Sequence, residues 1–205
     1  VGDWSSDVCS SDLKKSLNRD PKKKITYEEA INQMITNGEI EKVSENPKLS
    51  KNMDALMNYI PHHGVFKMDR ISTKCRVVID ASAKNSQGIS LNENLLPGPR
   101  KQLDIVHLLI NFRRYPITLI GDISRMFYCI NLNEKYRDNY RLLWNENDET
   151  EPNIYRFARL SMGTVDSPFL AISTVHYHLD KIGEKYPYLK ERRSIIKTLK
   201  DEFLL

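Results

Sequence analysis

The segment Leu119–Leu132 constrains the fold of this chain more than any other stretch. An apolar run follows Pro116 and ends at Asp122, and a second apolar run follows an aromatic pair. A short apolar run bounded by a proline is typical of a buried strand, which needs neighbouring strands and a covering layer. Such a strand would place Asp122 at the rim of a core, where a metal ion can reach the carboxylate. Alternatively, Asp122 caps the turn after the strand.

The N-terminal residues 1–13 are set apart from the fold. Gly2–Leu13 matches the in-frame translation of a short-read sequencing adapter, so we interpret this segment as an assembly scar and not as a targeting peptide. It lacks the basic start and the apolar centre of a signal sequence, so we expect a cytoplasmic protein that is not secreted. Setting it aside removes three acids and no base, which raises the formal charge from +4 to +7.

The charge balance of the remaining chain favours a polyanionic partner. Basic residues exceed acidic ones most clearly between Pro61 and Ile130. Cys75 and Cys129 are too few for a disulfide framework or for a zinc site with paired spacing. No apolar run approaches the roughly 18 residues of a membrane span, so no membrane partner is expected.

Residues 14–58 are predicted to form a lead-in with one helix. Lys14–Lys24 is basic and is expected to be mobile, and Thr26–Glu29 has the pattern of a capping box that starts the helix. Asn37-Gly38 is predicted to stop it. Glu39–Met57 has weak periodicity and is predicted to be a loop with at most a short helical piece.

A basic hairpin is predicted next. It joins an apolar strand within Tyr59–Lys67 to the β-branched strand Cys75–Asp80. Its lysine and arginine side chains either grip phosphate groups or form a solvated edge. His62 and His63 raise a metal-binding hypothesis, but no further ligand lies near them at a recognisable spacing.

A second hairpin and three helices complete the expected elements. They are the hairpin of Tyr140–Trp144 and Ile154–Leu160, a helix over Gln102–Phe112 that packs its apolar face on the core, a helix capped by Asp166 or Ser167 with Pro168 at its first position, and a helix over Leu189–Lys200.

Five motifs in sequence order resemble those of the reverse transcriptases of long-terminal-repeat retrotransposons, in particular the BEL/Pao group. The resemblance extends over residues 27–205, and it rests on the order and spacing of the motifs. The motifs are IPHHGV (Ile60–Val65), TKCRVVIDASA (Thr73–Ala83), SLNENLLPGP (Ser90–Pro99), GDISRMF (Gly121–Phe127) and MGTVDSPF (Met162–Phe169). The resemblance implies an α+β right-hand polymerase fold, with residues 59–205 forming the fingers subdomain and the first part of the palm.

The same resemblance implies an RNA-directed DNA polymerase that extends a primer on an RNA or DNA template by two-metal nucleotidyl transfer. Asp122 would be the catalytic acid and the first of three carboxylates that bind two Mg²⁺ ions, with Mn²⁺ as an alternative. The backbone carbonyl of Ile123 would be a further metal ligand. We expect the other two carboxylates in an Asp-Asp hairpin directly after Leu205, so the present chain alone is expected to be inactive.

Nucleotide contacts are implied at several matched positions. Arg76 corresponds to the fingers arginine that holds the incoming triphosphate, and Lys67 is the second phosphate contact, with Arg70 as an alternative. Phe127 falls at the steric-gate position, where a bulky ring would exclude a ribose 2′-hydroxyl.

The last motif implies contacts to the nascent base pair or template. Gly163 would let the backbone approach closely. Met162 departs from the glutamine that the wider family often carries, and a thioether cannot hydrogen-bond as an amide does. Ser167 and Pro168 would organise the start of the following helix.

The implied partners are template–primer nucleic acid and deoxynucleoside triphosphates. In an intact element, protease, RNase H and integrase domains would accompany the polymerase in a retroelement particle. A second hypothesis is a non-catalytic nucleic-acid-binding relic or a domesticated retroelement fragment, and a third is an unrelated α+β interaction domain. An open frame that continues with Asp-Asp favours the polymerase, whereas an early stop favours the relic.

Overall fold

Strand alternation and helix-capping residues produce a mixed α+β architecture with two small antiparallel sheets, which confirms the predicted α+β class. The computed structural model describes residues 13–43, 57–69, 74–102, 104–114, 116–118, 120–145 and 152–186. The chain divides into two compact units that alternate along the sequence. The first unit spans residues 1–96 and 127–164, and the second spans residues 97–126 and 165–205.

Helices and strands of the described residues are as follows. The helices are α1 (residues 13–18), α2 (Pro21–Thr36), α3 (Leu91–Asn94), α4 (Ile105–Phe112) and α5 (Ser167–Lys185), the 3₁₀ turns are Phe127–Cys129 and Glu134–Tyr140, and the strands are β1 (Ile40–Lys42), β2 (His62–Phe66), β3 (Cys75–Ile79), β4 (Arg141–Trp144) and β5 (Asn153–Phe157).

The start of α2 differs from the predicted capping box. Asp20 is the N-cap, and one of its carboxylate oxygens accepts hydrogen bonds from the backbone amides of Lys22 and Lys23, both at 3.2 Å. Pro21 occupies the first helical position, where its missing amide hydrogen costs no hydrogen bond. Thr26 lies inside the helix and donates its hydroxyl to the Lys22 carbonyl at 2.8 Å. The predicted start at Thr26 is therefore wrong because Asp20 satisfies the free amides earlier.

The lead-in around α2 is packed and helical, in contrast to the predicted mobile segment. Leu17 on α1 is buried, and Leu13 packs against the core of the first unit. Residues 1–12 of the predicted scar lie outside the described residues. The predicted stop of α2 is confirmed, since Asn37 is its C-cap and Gly38 follows at φ +65°.

A three-stranded sheet with the order β1-β5-β4 forms in the first unit. The hairpin of β4 and β5 confirms the predicted one, and Arg141 lies opposite Arg156 in its register. β1 pairs antiparallel with β5, with Ile40 opposite Phe157. The predicted loop Glu39–Met57 is therefore wrong at residues 40–42, since three residues are too few to show an alternating pattern.

β2 and β3 form the second sheet, a two-stranded antiparallel hairpin that was predicted. His62 lies opposite Ile79, and Phe66 lies opposite Cys75. The backbone before β2 is joined to the larger sheet, because the Ile60 amide donates to the Arg141 carbonyl at 2.7 Å.

The apolar core of the first unit lies around the larger sheet, the hairpin and α2. Side chains that alternate along a strand point to opposite faces of a sheet, so one face can be buried in this core. The largest fully buried side chains in it are Tyr27, Ile31, Ile40, Leu142, Tyr155 and Phe157.

A buried ion network underlies the same sheet. Asp138 accepts hydrogen bonds from Arg141 on one carboxylate oxygen, at 2.9 and 3.0 Å, and from Arg156 on the other, at 3.1 Å. Glu41 on β1 accepts from Arg156 at 2.7 Å and from Arg137 at 3.0 Å. The network therefore connects β1, β4, β5 and the 3₁₀ turn before β4.

Residues 97–126 of the second unit depart most from the sequence-based expectation. The predicted helix is present as α4, but none of its residues is buried, so the predicted packing on a core is wrong. The predicted strand before Asp122 is also wrong, because residues 120–123 form no strand and Ile120 is 85% exposed. A strand needs a partner for its backbone hydrogen bonds, and the described residues of this segment pair with no strand.

α5 begins with Asp166 at the N-cap, one of the two predicted positions, but the Asp166 side chain makes no capping hydrogen bond. Ser167 is the first helical residue, so Pro168 is at the second position and not at the predicted first. The helix expected over residues 189–200 lies outside the described residues. Among the helices that the structure describes, none is long and apolar enough to cross a membrane.

Candidate nucleotide and metal site

Strand alternation places the basic residues of the β2–β3 hairpin on one exposed face. Residues two apart along a strand point to the same side, so Lys67 follows the side of Val65, and Lys74 follows the side of Arg76. Val65 lies opposite Arg76, and the Lys67 amide donates to the Lys74 carbonyl at 2.8 Å. Lys67, Lys74 and Arg76 are all exposed, and we refer to these three residues as the basic face.

The basic face carries no internal counter-charge within the described residues, since no salt bridge there engages Lys67, Lys74 or Arg76. Two lysines and an arginine at the end of one hairpin create a positive potential that attracts phosphate groups. Arg70, the alternative to Lys67 as a phosphate contact, lies outside the described residues.

Gly163 lies against the end of β3 in the first unit. Its φ of +115° is a conformation that L side chains rarely adopt, and a Cβ atom there would be 3.0 Å from the Ile79 carbonyl oxygen. The neighbouring Met162 is 49% exposed, so its thioether is available to a ligand. Gly163 is thus required by local geometry, whatever ligand the loop meets.

Asn92 is a contact residue at this place that sequence reasoning missed. Its side-chain amide donates to the Gly163 carbonyl at 3.3 Å and to the Ser82 hydroxyl at 2.8 Å. It is held on α3, where Ser90 and Glu93 form a reciprocal capping box. That box has a recognisable sequence pattern. No local sequence pattern indicated that Asn92, in the third motif, would contact Ser82 in the second motif and Gly163 in the fifth.

Asp122 lies in the second unit on an exposed stretch outside any helix or strand. No described residue donates a hydrogen bond to its carboxylate, so the capping alternative finds no support in the described contacts. Ile123 follows, 44% exposed. Arg125 has φ +53°, an uncommon conformation for a residue other than glycine.

The described residues do not by themselves form a two-ion magnesium centre. Asp122 and the Ile123 carbonyl are hard oxygen donors of the type that Mg²⁺ prefers, but Mg²⁺ requires octahedral coordination. Within residues 13–186, leaving out the undescribed gaps, no group of three His, Cys, Asp or Glu side chains could hold a metal ion.

The metal hypothesis for the histidine pair is not supported at His62. Its Nε2 donates to the Leu143 carbonyl at 2.8 Å, and its Nδ1 is hydrogen-bonded to the Tyr27 hydroxyl. Both ring nitrogens are therefore already engaged inside the protein.

Two further motifs meet within the second unit. Gly98 has φ +72°, and a Cβ atom on it would lie 2.5 Å from the Phe169 ring. Lys101 places its Nζ 5.0 Å from the centre of the same ring, a cation–π arrangement. The proline-glycine-proline loop is thus seated on the start of α5.

The structure divides the predicted site residues between the two units. Those in the first unit are Lys67, Arg76, Phe127, Met162 and Gly163, and those in the second are Asp122, Ile123, Ser167 and Pro168.

No family model and no curated protein matches this chain. The residues and their geometry are therefore the basis for a functional assignment.

Phe127, Ser167 and Pro168 lie at the beginning of helical elements. Phe127 begins a 3₁₀ turn and is half-buried. Ser167 is buried at the first residue of α5, and Pro168 follows it. These positions agree with a structural role for Ser167 and Pro168.

Proposed function

We propose that this chain is the fingers and first palm part of a retrotransposon reverse transcriptase, an RNA-directed DNA polymerase with a right-hand fold. The observation that carries the proposal is the basic face, where Arg76 and Lys67 stand exposed on the same side of a hairpin that the core anchors. An arginine fork matches two phosphate oxygens, and a lysine adds a point charge. This is the chemistry needed to hold a nucleoside triphosphate.

Gly163 supports the same proposal. It adjoins the strand that carries Arg76, and Asn92 holds its carbonyl. A glycine leaves its backbone open to close approach by a base pair or a template strand. Met162 beside it offers an exposed apolar surface to a sugar or base.

In the intact enzyme, Asp122 and the Ile123 carbonyl would hold Mg²⁺ together with carboxylates beyond the described residues. The ions would supply activation of the primer hydroxyl and stabilisation of the leaving pyrophosphate. Phe127 would exclude ribonucleotides. Template–primer and deoxynucleoside triphosphates are the proposed ligands, and the polyprotein domains of a cytoplasmic retroelement particle are the proposed partners.

The positive potential of the basic face attracts the phosphates of a template–primer as well as those of a triphosphate, so removing one charge from it is expected to weaken nucleic-acid binding. We expect Arg76→Gln and Lys67→Gln each to lower affinity for a fluorescein-labelled RNA–DNA primer–template about tenfold, since a charge-assisted hydrogen bond contributes roughly 1.5–3 kcal/mol. Each change should also reduce the slope of log K against log salt by about 0.7–0.9. Fluorescence anisotropy over a salt series measures both quantities.

Arg19→Gln provides the matched control, because Arg19 is an exposed arginine on the lead-in, away from the hairpin in sequence. It should leave the salt slope unchanged. Equal losses in all three variants would reduce the effect to net charge and contradict a specific role for the basic face.

Asp122→Asn tests the catalytic assignment. In a longer protein that includes the family's Asp-Asp hairpin, we expect primer extension to fall by about 10³-fold or more, because loss of a metal ligand removes several kcal/mol of transition-state stabilisation. Primer–template binding should change less than about twofold, because Asp122 is not on the basic face. Gel-based extension and anisotropy measure the two effects.

Asp180→Asn is the control for this experiment, since Asp180 is another exposed aspartate, located on α5 and away from the basic face in sequence. It should leave extension unchanged. Full extension by the Asp122→Asn variant would remove the catalytic role from Asp122.

A second candidate function is nucleic-acid binding without polymerisation, as in a decayed or domesticated element. This alternative is supported by the basic face alone, since binding of phosphate groups by Arg76 and Lys67 requires no metal site. Binding that depends on Arg76, combined with an unextended primer in the longer wild-type protein, would distinguish it from the polymerase.

A further inference from the structure

His62 lies where three elements of the first unit meet. It is on β2, its Nδ1 is hydrogen-bonded to the hydroxyl of Tyr27 on α2, and its Nε2 is 2.8 Å from the carbonyl of Leu143 on β4. One imidazole ring therefore joins the hairpin that carries the basic face both to the helix and to the larger sheet.

These partners fix the protonation state of the ring. A backbone carbonyl can only accept, so Nε2 must carry the hydrogen that it donates to Leu143. A neutral ring then leaves Nδ1 as an acceptor, and the Tyr27 hydroxyl donates to it. The neutral Nε2–H tautomer is thus the form that satisfies both bonds as donor and acceptor.

Protonation of the ring breaks this arrangement. With a hydrogen on Nδ1, the Tyr27 hydroxyl must turn from donor to acceptor, and its own hydrogen then needs a new acceptor. Tyr27 is 0% exposed, so water does not supply one without a change in packing. A buried polar group without a partner costs about 1–3 kcal/mol.

The surroundings of the ring also disfavour a positive charge. The Tyr27 ring lies nearly parallel to it with the ring centres 6.1 Å apart, and Trp144 meets it edge-on at 6.3 Å. The titratable groups that face this cluster are Tyr27 from α2, Cys75 from β3 and His63 from β2 itself. Within the described residues, no carboxylate is paired with the His62 ring.

Burial favours the neutral form of three of these groups, His62, Tyr27 and Cys75. Burial lowers the pKa of His62, and the nearby His63 lowers it further, although the hydrogen bond to Leu143 opposes the change. Burial raises the pKa of Tyr27 above its usual value and that of the Cys75 thiol to about 11. These three groups are therefore uncharged at neutral pH.

We propose that His62 is a pH-sensitive contact between the β2–β3 hairpin and its neighbours α2 and β4. The neutral ring stabilises this attachment, and protonation of the ring weakens it. The proposal concerns the attachment of the hairpin and does not depend on the polymerase assignment.

The direction of the pH effect follows from linkage. A histidine whose folded-state pKa is depressed binds a proton more readily in the unfolded state, so acid favours unfolding. The stabilising effect of the neutral ring is complete above the unfolded pKa of about 6.5. It is lost as the pH falls below that value toward the lower folded-state pKa.

His62→Gln tests this contact, because glutamine offers an acceptor and a donor but does not titrate. Below pH 6.5 we expect the unfolding constant of the wild type to increase more steeply with acidity than that of the variant. The difference is at most about tenfold per pH unit, because a single proton is bound on unfolding. Urea titrations of the full 205-residue chain at about pH 7.5, 6.0 and 5.0, on either side of the usual histidine pKa, measure the constant. His63→Gln is the matched control, since His63 is the exposed neighbour on the same strand. This change removes one contribution that lowers the pKa of His62, but the variant should retain the loss of stability in acid that His62→Gln abolishes.

An unchanged pH dependence in His62→Gln would overturn the proposal. Should that variant fail to fold, nitrogen and carbon NMR of the wild-type imidazole rings gives a second test. We expect the Nε2–H tautomer at His62 and a titration midpoint below the usual histidine pKa of about 6.5. The Ile60 amide, which joins the hairpin to the larger sheet, should lose exchange protection in acid. A midpoint at His62 at or above about 6.5 would also overturn the proposal.

Discussion

Asp138→Ala is expected to lower the free energy of unfolding of the first unit by about 3–5 kcal/mol, the usual effect of removing one partner from a buried ion pair. The Asp138 carboxylate is the shared acceptor for Arg141 and Arg156, and all three residues are buried. Its removal leaves two guanidinium groups short of a counter-charge in a site with little water. Chemical denaturation at neutral pH measures the change.

The pKa of Arg141 shows that the network stabilises the charged form of this side chain. Burial alone would lower the pKa of Arg141, but hydrogen bonds to the Tyr59 hydroxyl and the Asp138 carboxylate raise it above its usual value. Truncating Asp138 removes one of these two supports. The energetic cost therefore arises mainly from the arginines that remain.

Glu134→Gln is the control for the network. Glu134 approaches Arg156 at 3.9 Å, but its side chain is 70% exposed, so solvent screens the pair. We expect a change below about 1 kcal/mol. A loss of less than about 1 kcal/mol in Asp138→Ala itself would contradict a structural role for the network.

Gly163→Ala is expected to destabilise the first unit by about 3 kcal/mol, at the upper end of the usual cost of a strained backbone residue. Two effects combine at this position. The φ of +115° disfavours any L side chain, and the new methyl group would press on the Ile79 carbonyl oxygen at 3.0 Å. That oxygen belongs to the backbone and cannot rotate away.

Two other glycines separate these effects. Gly88 has φ +77° with nothing within 4 Å of an added methyl group, so Gly88→Ala should cost only the backbone strain, about 1–2 kcal/mol. Gly121 has neither a positive φ nor a close neighbour, and Gly121→Ala should be nearly neutral. Thermal unfolding of the three variants would contradict the contact with Ile79 if Gly163→Ala and Gly88→Ala lost equal stability.

Elements specified by local pattern were predicted from the sequence. Both hairpins and the start of α5 follow from β-branched alternation and from a proline after a capping residue. The basic face follows from the same alternation, because side chains two residues apart on a strand point to the same side of the sheet, as Arg76 and Lys74 do. The contact of Asn92 with Gly163 could not be predicted, since it joins residues 71 positions apart.

Elements that depend on distant partners were predicted incorrectly. The apolar run before Asp122 has a strand composition, but backbone pairing requires a neighbouring strand that no local pattern reveals. The opposite error occurred at β1, which was predicted to be a loop. Its three residues are polar enough to suggest a loop, and they form a strand only by pairing with β5. The start of α2 was misplaced for a local reason, because Asp20 caps the helix and Pro21 occupies its first position, ahead of the capping pattern at Thr26.

The pairing of β1 with β5 has a consequence for the synthesis of the protein. Glu41 and Arg156 are hydrogen-bonded although 115 residues separate them, and closing so long a loop is entropically costly. At ribosomal speeds of roughly 5–20 residues per second, β1 leaves the ribosome on the order of ten seconds before its partner strand exists. The hairpins β2–β3 and β4–β5 can therefore form as they emerge, whereas the strand made first is the last to join its sheet.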